Sequence, residues 1–101
     1  MSLAELFNEV LAKPGMYVGR RSIARIKSFI DGYGYALVNS GKYDQSDPYY
    51  GFQPFVQERL RITTSHGWDD IVSFMSADEV GAFELTRELW NEYRGQASPE
   101  S

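Results

Sequence analysis

Apolar residues recur at intervals of three and four along most of this chain, the period of one face of an α-helix. The first set is Leu3, Leu6, Phe7, Val10 and Leu11. Ser2 and Glu5 stand in front of it as an S-x-x-E capping box, so a helix is predicted over Leu3 to Ala12. Pro14-Gly15 ends it. Ser22 is the next cap, and Ile23, Ile26, Phe29, Ile30, Tyr33 and Leu37 carry a second helix to about Asn39. Gly32 and Gly34 interrupt that stretch, each at a cost of about 1 kcal/mol relative to Ala. They imply either the close approach of another helix or a bend.

The pattern lapses over Lys42–Gly51, "KYDQSDPYYG", which is predicted as an aromatic and acidic loop. Phe52 to Leu60 reads as a short helix with Pro54 in its first turn. Trp68, Ile71, Val72 and Met75 mark another, capped by Thr64 or Ser65. Leu60 to Thr63 is an alternative short strand, because β-branched residues favour the pleated conformation. Ser76 and Glu79 repeat the capping box, and Ala82, Phe83, Leu85, Leu89, Trp90 and Tyr93 form the apolar stripe of a last helix from Ala77 to about Arg94. Gly95 is its predicted C-cap. The expectation is a mostly α fold of four to five helices with at most one short strand, a single domain over residues 1–95, and a frayed tail over 96–101.

Composition narrows the class. With 101 residues the chain has room for one domain. Its 43% hydrophobic and 15% aromatic content excludes an intrinsically disordered protein. There is no cysteine, which removes disulfide frameworks and thiolate metal sites. No apolar run reaches the length of a bilayer span, and the N-terminus has no basic leader segment, so a cytoplasmic protein is expected. The net charge of −4 is unevenly spread. Residues 1–43 hold six basic against three acidic side chains, a net of +3; residues 44–101 hold four against eleven, a net of −7.

Candidate chemistry is sparse. His66 has Asp69 and Asp70 three and four positions on, the spacing of a carboxylate beside an imidazole. Neither a cysteine nor a serine in a nucleophile-elbow motif accompanies them. "DQSD" at Asp44–Asp47 lacks the EF-hand pattern. No catalytic residue, metal or cofactor is therefore expected. The surface signal lies elsewhere. Tyr43, Tyr49 and Tyr50 flank Asp44 and Asp47, and tyrosine is enriched at protein interfaces. Asp69, Asp70, Glu84 and Glu88 form an acidic set that complements a basic partner. These nine residues are the expected partner-binding surface; for Tyr49 and Tyr50 the alternative is that, with Phe52, they cover the edge of the core with their polar tips in water. Tyr17, Tyr33 and Tyr35 are assigned to packing.

The string "PGMYVG", Pro14 to Gly19, resembles an element that opens the ATP-binding domain of type II topoisomerases, and Asp31-Gly32-Tyr33-Gly34 resembles that domain's adenine loop. Only eleven residues separate Gly19 from Asp31, too few for the magnesium-binding helix and strand of that fold. Met16, Tyr17 and Val18 are instead expected to bury as an extended plug beneath the second helix. A nucleotide- or nucleic-acid-binding role for residues 14–27, which include Arg20, Arg21, Arg25 and Lys27, is the alternative function.

A broader pattern joins Pro14–Gly19, Ser22, Ile26, Phe29, Gly32-Tyr33, Trp68, Ile71, Phe74 and the stretch from Asp78 to Tyr93. It resembles small bacterial immunity-type proteins of polymorphic and contact-dependent toxin systems. That resemblance implies a binder without enzymatic activity, which neutralises a cognate, basic toxin domain by direct contact.

Overall fold

The computed structural model describes residues 1–97. It is mostly helical, as the apolar period requires, with α1 (Leu3–Ala12), α2 (Pro14–Tyr17), α3 (Ile23–Asn39), α4 (Phe52–Arg59), α5 (Trp68–Phe74) and α6 (Glu79–Ala97). A 3₁₀ turn (Pro48–Gly51) precedes α4. The described residues contain no strand; Leu60 and Arg61 form a turn where one was an alternative. The chain divides into two compact units, Met1–Gly51 and Phe52 onward.

In the first unit α1 packs on α3 and on the 3₁₀ turn. Its N-terminus is closed completely. Ser2 Oγ accepts from the Glu5 N–H at 3.1 Å and Glu5 Oε1 accepts from the Ser2 N–H at 2.9 Å. The remaining free N–H groups, of Leu3 and Ala4, donate to the Asp47 carboxylate at 2.8 and 3.1 Å. Four unpaired N–H groups are the usual weakness of a helix start. Here a residue from a distant loop supplies the acceptors that local sequence does not. The core of this unit holds Leu6, Phe7, Val10, Ile26 and Ile30, all buried. The Tyr49 ring meets Phe7 edge-on at 5.2 Å.

Gly34 faces Leu3 of α1, whose methyl carbons would lie 3.7 Å from an added Cβ. That is ordinary contact distance, so the approach of Leu3 does not itself require a glycine at this position. α3 then ends in a Schellman motif: Gly41, at φ +74°, donates to Val38, and Lys42 donates to Leu37 at 2.8 Å.

The segment after α1 differs from its expected form. Pro14–Tyr17 coils into a one-turn helix, started by a proline at its first position, and none of its residues is buried. Met16 is 74% exposed. The apolar plug does not exist; Tyr17 and Val18 are half-buried, and Tyr17 lies 6.0 Å from Phe29. A tight turn of helix puts consecutive side chains on different faces, so three adjacent apolar residues cannot all point inward.

The second unit is organised by Phe52. Its ring sits 5.5 Å from Trp68, 5.2 Å from Trp90 and 5.9 Å from Tyr93. Val56, Val72, Phe83 and Leu89 are also buried. Thr86 is fully buried on α6, its hydroxyl satisfied by donating to the Ala82 carbonyl at 2.8 Å. Gly67, not Thr64 or Ser65, is the N-cap of α5, and the Trp68 N–H donates to Gln53 Oε1 at 2.6 Å. The expected box at Ser76 does not form. Ser76 Oγ donates to the Val72 carbonyl, and the Asp78 carboxylate accepts from the Gly81 N–H at 2.7 Å. Gly95 lies within α6 rather than closing it. Of the expected tail, Ser98–Ser101 lie outside the described residues.

Candidate functional site

The loop between α3 and α4 is held by hydrogen bonds over the stretch from Asp44 to Tyr50. Asp44 accepts from Ser46 twice, at 2.9 Å from the backbone N–H and at 2.6 Å from the hydroxyl. These bonds, the hydroxyl's first, hold the Asp44 carboxyl below the ordinary Asp range. Asp47 N–H donates to the Asp44 carbonyl, and Tyr50 N–H donates to the Asp47 carbonyl. The Asp47 carboxylate also accepts from the Tyr49 N–H at 3.1 Å.

This arrangement separates the five loop residues expected at an interface. Asp47 is 7% exposed and its carboxylate is occupied by three N–H groups. Tyr49 is buried against Phe7. Both are corrections: neither presents a surface to a partner, because a buried carboxylate and a buried ring are what complete the start of α1. Tyr43, Asp44 and Tyr50 remain exposed, and the Tyr43 and Tyr50 rings stand 5.7 Å apart.

Tyr50 joins two hollows of this unit. One, of about 310 Å³, includes Tyr33, Lys42, Asp44 and Tyr50 in its lining. The other, of about 330 Å³, includes Ile30, Gly34, Tyr35, Val38 and Tyr50. Tyr35 is 69% exposed and Val38 54%, so Tyr35 is a surface residue and not the packing residue expected. Tyr33 is half-buried, and its hydroxyl donates to the Met1 carbonyl. Loss of solvent raises the Tyr50 hydroxyl above the ordinary tyrosine range, with Tyr43, Asp47 and Asp44 adding to it. At neutral pH Tyr50 is a neutral hydrogen-bond donor set in an aromatic patch.

In the second unit Asp69 and Asp70 occupy the first turn of α5, where a carboxylate is favoured by the helix dipole. Asp69 is half-buried; Asp70 is exposed, with Oδ2 3.7 Å from His66 Nδ1. Both imidazole and carboxylate are well over half exposed. Glu84 is half-buried and Glu88 exposed on α6, while Glu92 pairs with Arg59 at 2.8 Å. The described residues bring no three His, Cys, Asp or Glu side chains together in a way that could hold a metal ion. No helix among them is long and apolar enough to cross a membrane.

Sequence reasoning missed Tyr35 and Val38. The available signal was that Tyr35 falls outside the three-and-four spacing of Ile23, Ile26, Ile30 and Leu37, so it cannot share their buried face.

Comparison with protein-family models, with curated proteins and with solved structures finds no match to this chain.

Proposed function

We propose that this chain is a bacterial, cytoplasmic protein-binding module that neutralises a basic partner by direct contact, in the manner of an immunity protein. Its contact surface is centred on Tyr43 and Tyr50, with Asp44, Tyr35 and Val38 around them. It has no chemistry of its own. The observation that supports this reading most is the Tyr43–Tyr50 pair: two large, exposed rings on a loop already fixed by hydrogen bonds. Rings held in place before binding lose little entropy when a partner covers them. The acidic side chains Asp69, Asp70, Glu84 and Glu88 of the second unit would speed encounter with a basic surface.

The test is co-expression with the product of the adjacent gene, where that product arrests growth, followed by titration calorimetry with the purified pair. Restored growth and a stoichiometric complex, both lost in the Tyr43→Ala/Tyr50→Ala double variant, are expected. Rescue without physical binding would overturn the proposal.

The exposure of Met16 beside Arg20 and Arg21, both exposed, favours a second reading: anion binding, by nucleic acid or nucleotide, around residues 14–27. A gel shift at low salt that collapses with added salt would support it.

A further inference from the structure

A further cavity lies within the second unit and belongs to neither surface above. It is a groove of about 470 Å³, in the size range of small-molecule sites. Its apolar lining is Ile62, Ile71, Phe74 and Met75, and Arg61 and His66 complete it together with two threonines. Phe74 is 85% exposed and Met75 54%. Large apolar side chains left this open beside a groove mark a place where something apolar docks.

The backbone at Arg61 gives a second, independent indication. α4 ends in the same motif as α3: Arg61 donates to Glu58, and Ile62 donates to Gln57 at 2.8 Å. In α3 the residue with positive φ is Gly41; here it is Arg61, at φ +56°, the one non-glycine in that region among the described residues. A side chain is strained in this conformation, and glycine would relieve it. The cost of keeping an arginine there is a reason to look for its use. Its guanidinium makes no hydrogen bond or ion pair among the described residues, unlike Arg59, which holds Glu92.

The wall of the groove is also fixed in advance. Gln57 Nε2 donates to the Thr64 carbonyl at 2.7 Å, and Gln53 Nε2 donates to the His66 carbonyl at 2.9 Å. Two side chains one turn apart on α4 thus clamp the loop from Arg61 to Gly67. His66 Nδ1 lies 3.7 Å from Asp70 Oδ2, and Arg61 also lines a second hollow together with Phe55, Glu58 and Arg59. Arg61 is the permanent cation in the groove's lining, and it forms no ion pair among the described residues.

We propose that this groove is a binding site for a small amphipathic carboxylate, with an apolar body against Ile62, Ile71, Phe74 and Met75 and the carboxylate on Arg61. Planar guanidinium favours carboxylate through paired hydrogen bonds. Neither the tyrosine patch nor a protein partner is needed for it.

The test uses the whole chain and three probes below any micelle concentration: decanoate, decan-1-ol and acetate. Binding is followed by calorimetry and by amide chemical shifts. Decanoate should saturate, with shifts confined to the segment from Arg61 to Ser76, and should bind at least tenfold tighter than either other probe. Arg61→Gly keeps the helix cap and should lose that preference, binding decanoate and decan-1-ol alike. Phe74→Ser changes a surface side chain and should weaken both. Equal binding of decanol and decanoate by the unaltered chain, or decanoate affinity unchanged in Arg61→Gly, would overturn the carboxylate assignment. Concentration-dependent self-association abolished by Phe74→Ser would assign the groove to a second copy instead.

Discussion

Asp47 Oδ2 accepts the N–H of Leu3 at 2.8 Å across forty-four positions of sequence. With Ala4 and Tyr49 also donating to this carboxylate, one side chain closes the start of α1 and fixes the turn before α4. Asp47→Ala leaves three N–H groups without that acceptor in a buried setting. It should lower stability by about 2–4 kcal/mol, several times the effect of an exposed substitution. Asp47→Asn keeps one oxygen acceptor and should cost about half as much. Urea unfolding followed by far-UV circular dichroism decides. A loss in Asp47→Ala no larger than in an exposed control such as Asn39→Ala would mean that the carboxylate does not hold the helix.

Glycine positions divide into those that need glycine and those that do not. Nothing lies within 4 Å of a Cβ added at Gly32, and at Gly34 an added Cβ meets Leu3 at ordinary contact distance. Gly32→Ala and Gly34→Ala should therefore each raise stability by about 0.5–1 kcal/mol. Gly41, at φ +74°, is the opposite case: Gly41→Ala should cost about 1 kcal/mol. Arg61→Gly should gain a similar amount by relieving the same conformation. Thermal melts of the four variants give four signs, and a destabilised Arg61→Gly would contradict the strain assigned there.

Two carboxyls titrate below their ordinary range: Asp44, held chiefly by the Ser46 hydroxyl, and Glu5, held chiefly by the Ser2 backbone N–H. A lowered folded pKa means that the unfolded chain binds its proton first as the pH falls. The associated stability is present above the unfolded carboxyl range, about pH 4, and is lost as the pH drops through the folded values. Tyr50 works in the other direction. Its raised pKa favours the neutral phenol, so its contribution is present below about pH 10 and fades above it. Carboxyl carbon NMR titration should show Asp44 moving up toward the ordinary range in Ser46→Ala, with the Ser46 backbone N–H still holding it partly down, and Glu5 unmoved.

Helix positions were legible in the sequence where packing and capping are local. α1 and α3 match their expected limits because a side-chain cap, an apolar stripe and a glycine or proline stop agree there. α5 and α6 start differently from expectation because the deciding groups are not the nearest candidates: Gln53 serves α5 from a different helix, and Asp78 displaces Ser76 at α6. The geometry of the candidate surface was legible in part. Composition pointed to the tyrosine-rich loop, but not to which of its members turn inward. That choice is made by unpaired N–H groups at Leu3 and Ala4, which no spacing around residue 47 reveals. Arg61 was invisible for a related reason, since only backbone angles distinguish a strained arginine from an ordinary surface one.

Both tryptophans, Trp68 and Trp90, contact Phe52, so indole fluorescence reports on the second unit. Phe52→Ala removes a fully buried ring from among Phe55, Trp68, Trp90 and Tyr93. A loss of about 3–5 kcal/mol is expected, with a red-shifted emission maximum if the cavity admits water. Phe74→Ala, on a side chain open to solvent, should change stability by less than about 0.5 kcal/mol. Similar losses in the two variants would mean that Phe52 is not the centre of this core.

Charge and ring contributions to partner binding can be separated by rate. Because Asp47 is a helix cap, reversing its charge would unfold the start of α1 and say nothing about an interface. Asp44 is exposed, so Asp44→Lys changes the field around the loop; it also removes the acceptor of the two Ser46 bonds, and Asp44→Asn, which keeps an oxygen for them, is the control for loop geometry. Against a basic partner Asp44→Lys should slow association by about 3–10-fold at low salt, and the difference should shrink as salt is raised, since exposed charges are screened within about 10 Å at 0.1 M. Tyr43→Ala removes contact area without changing charge. It should leave association within about twofold and speed dissociation by about 30-fold or more, the mark of an aromatic anchor. Stopped-flow and surface-plasmon measurements at two salt concentrations distinguish the cases. If Asp44→Lys alters only dissociation, or Tyr43→Ala alters neither rate, the loop is not where the partner binds.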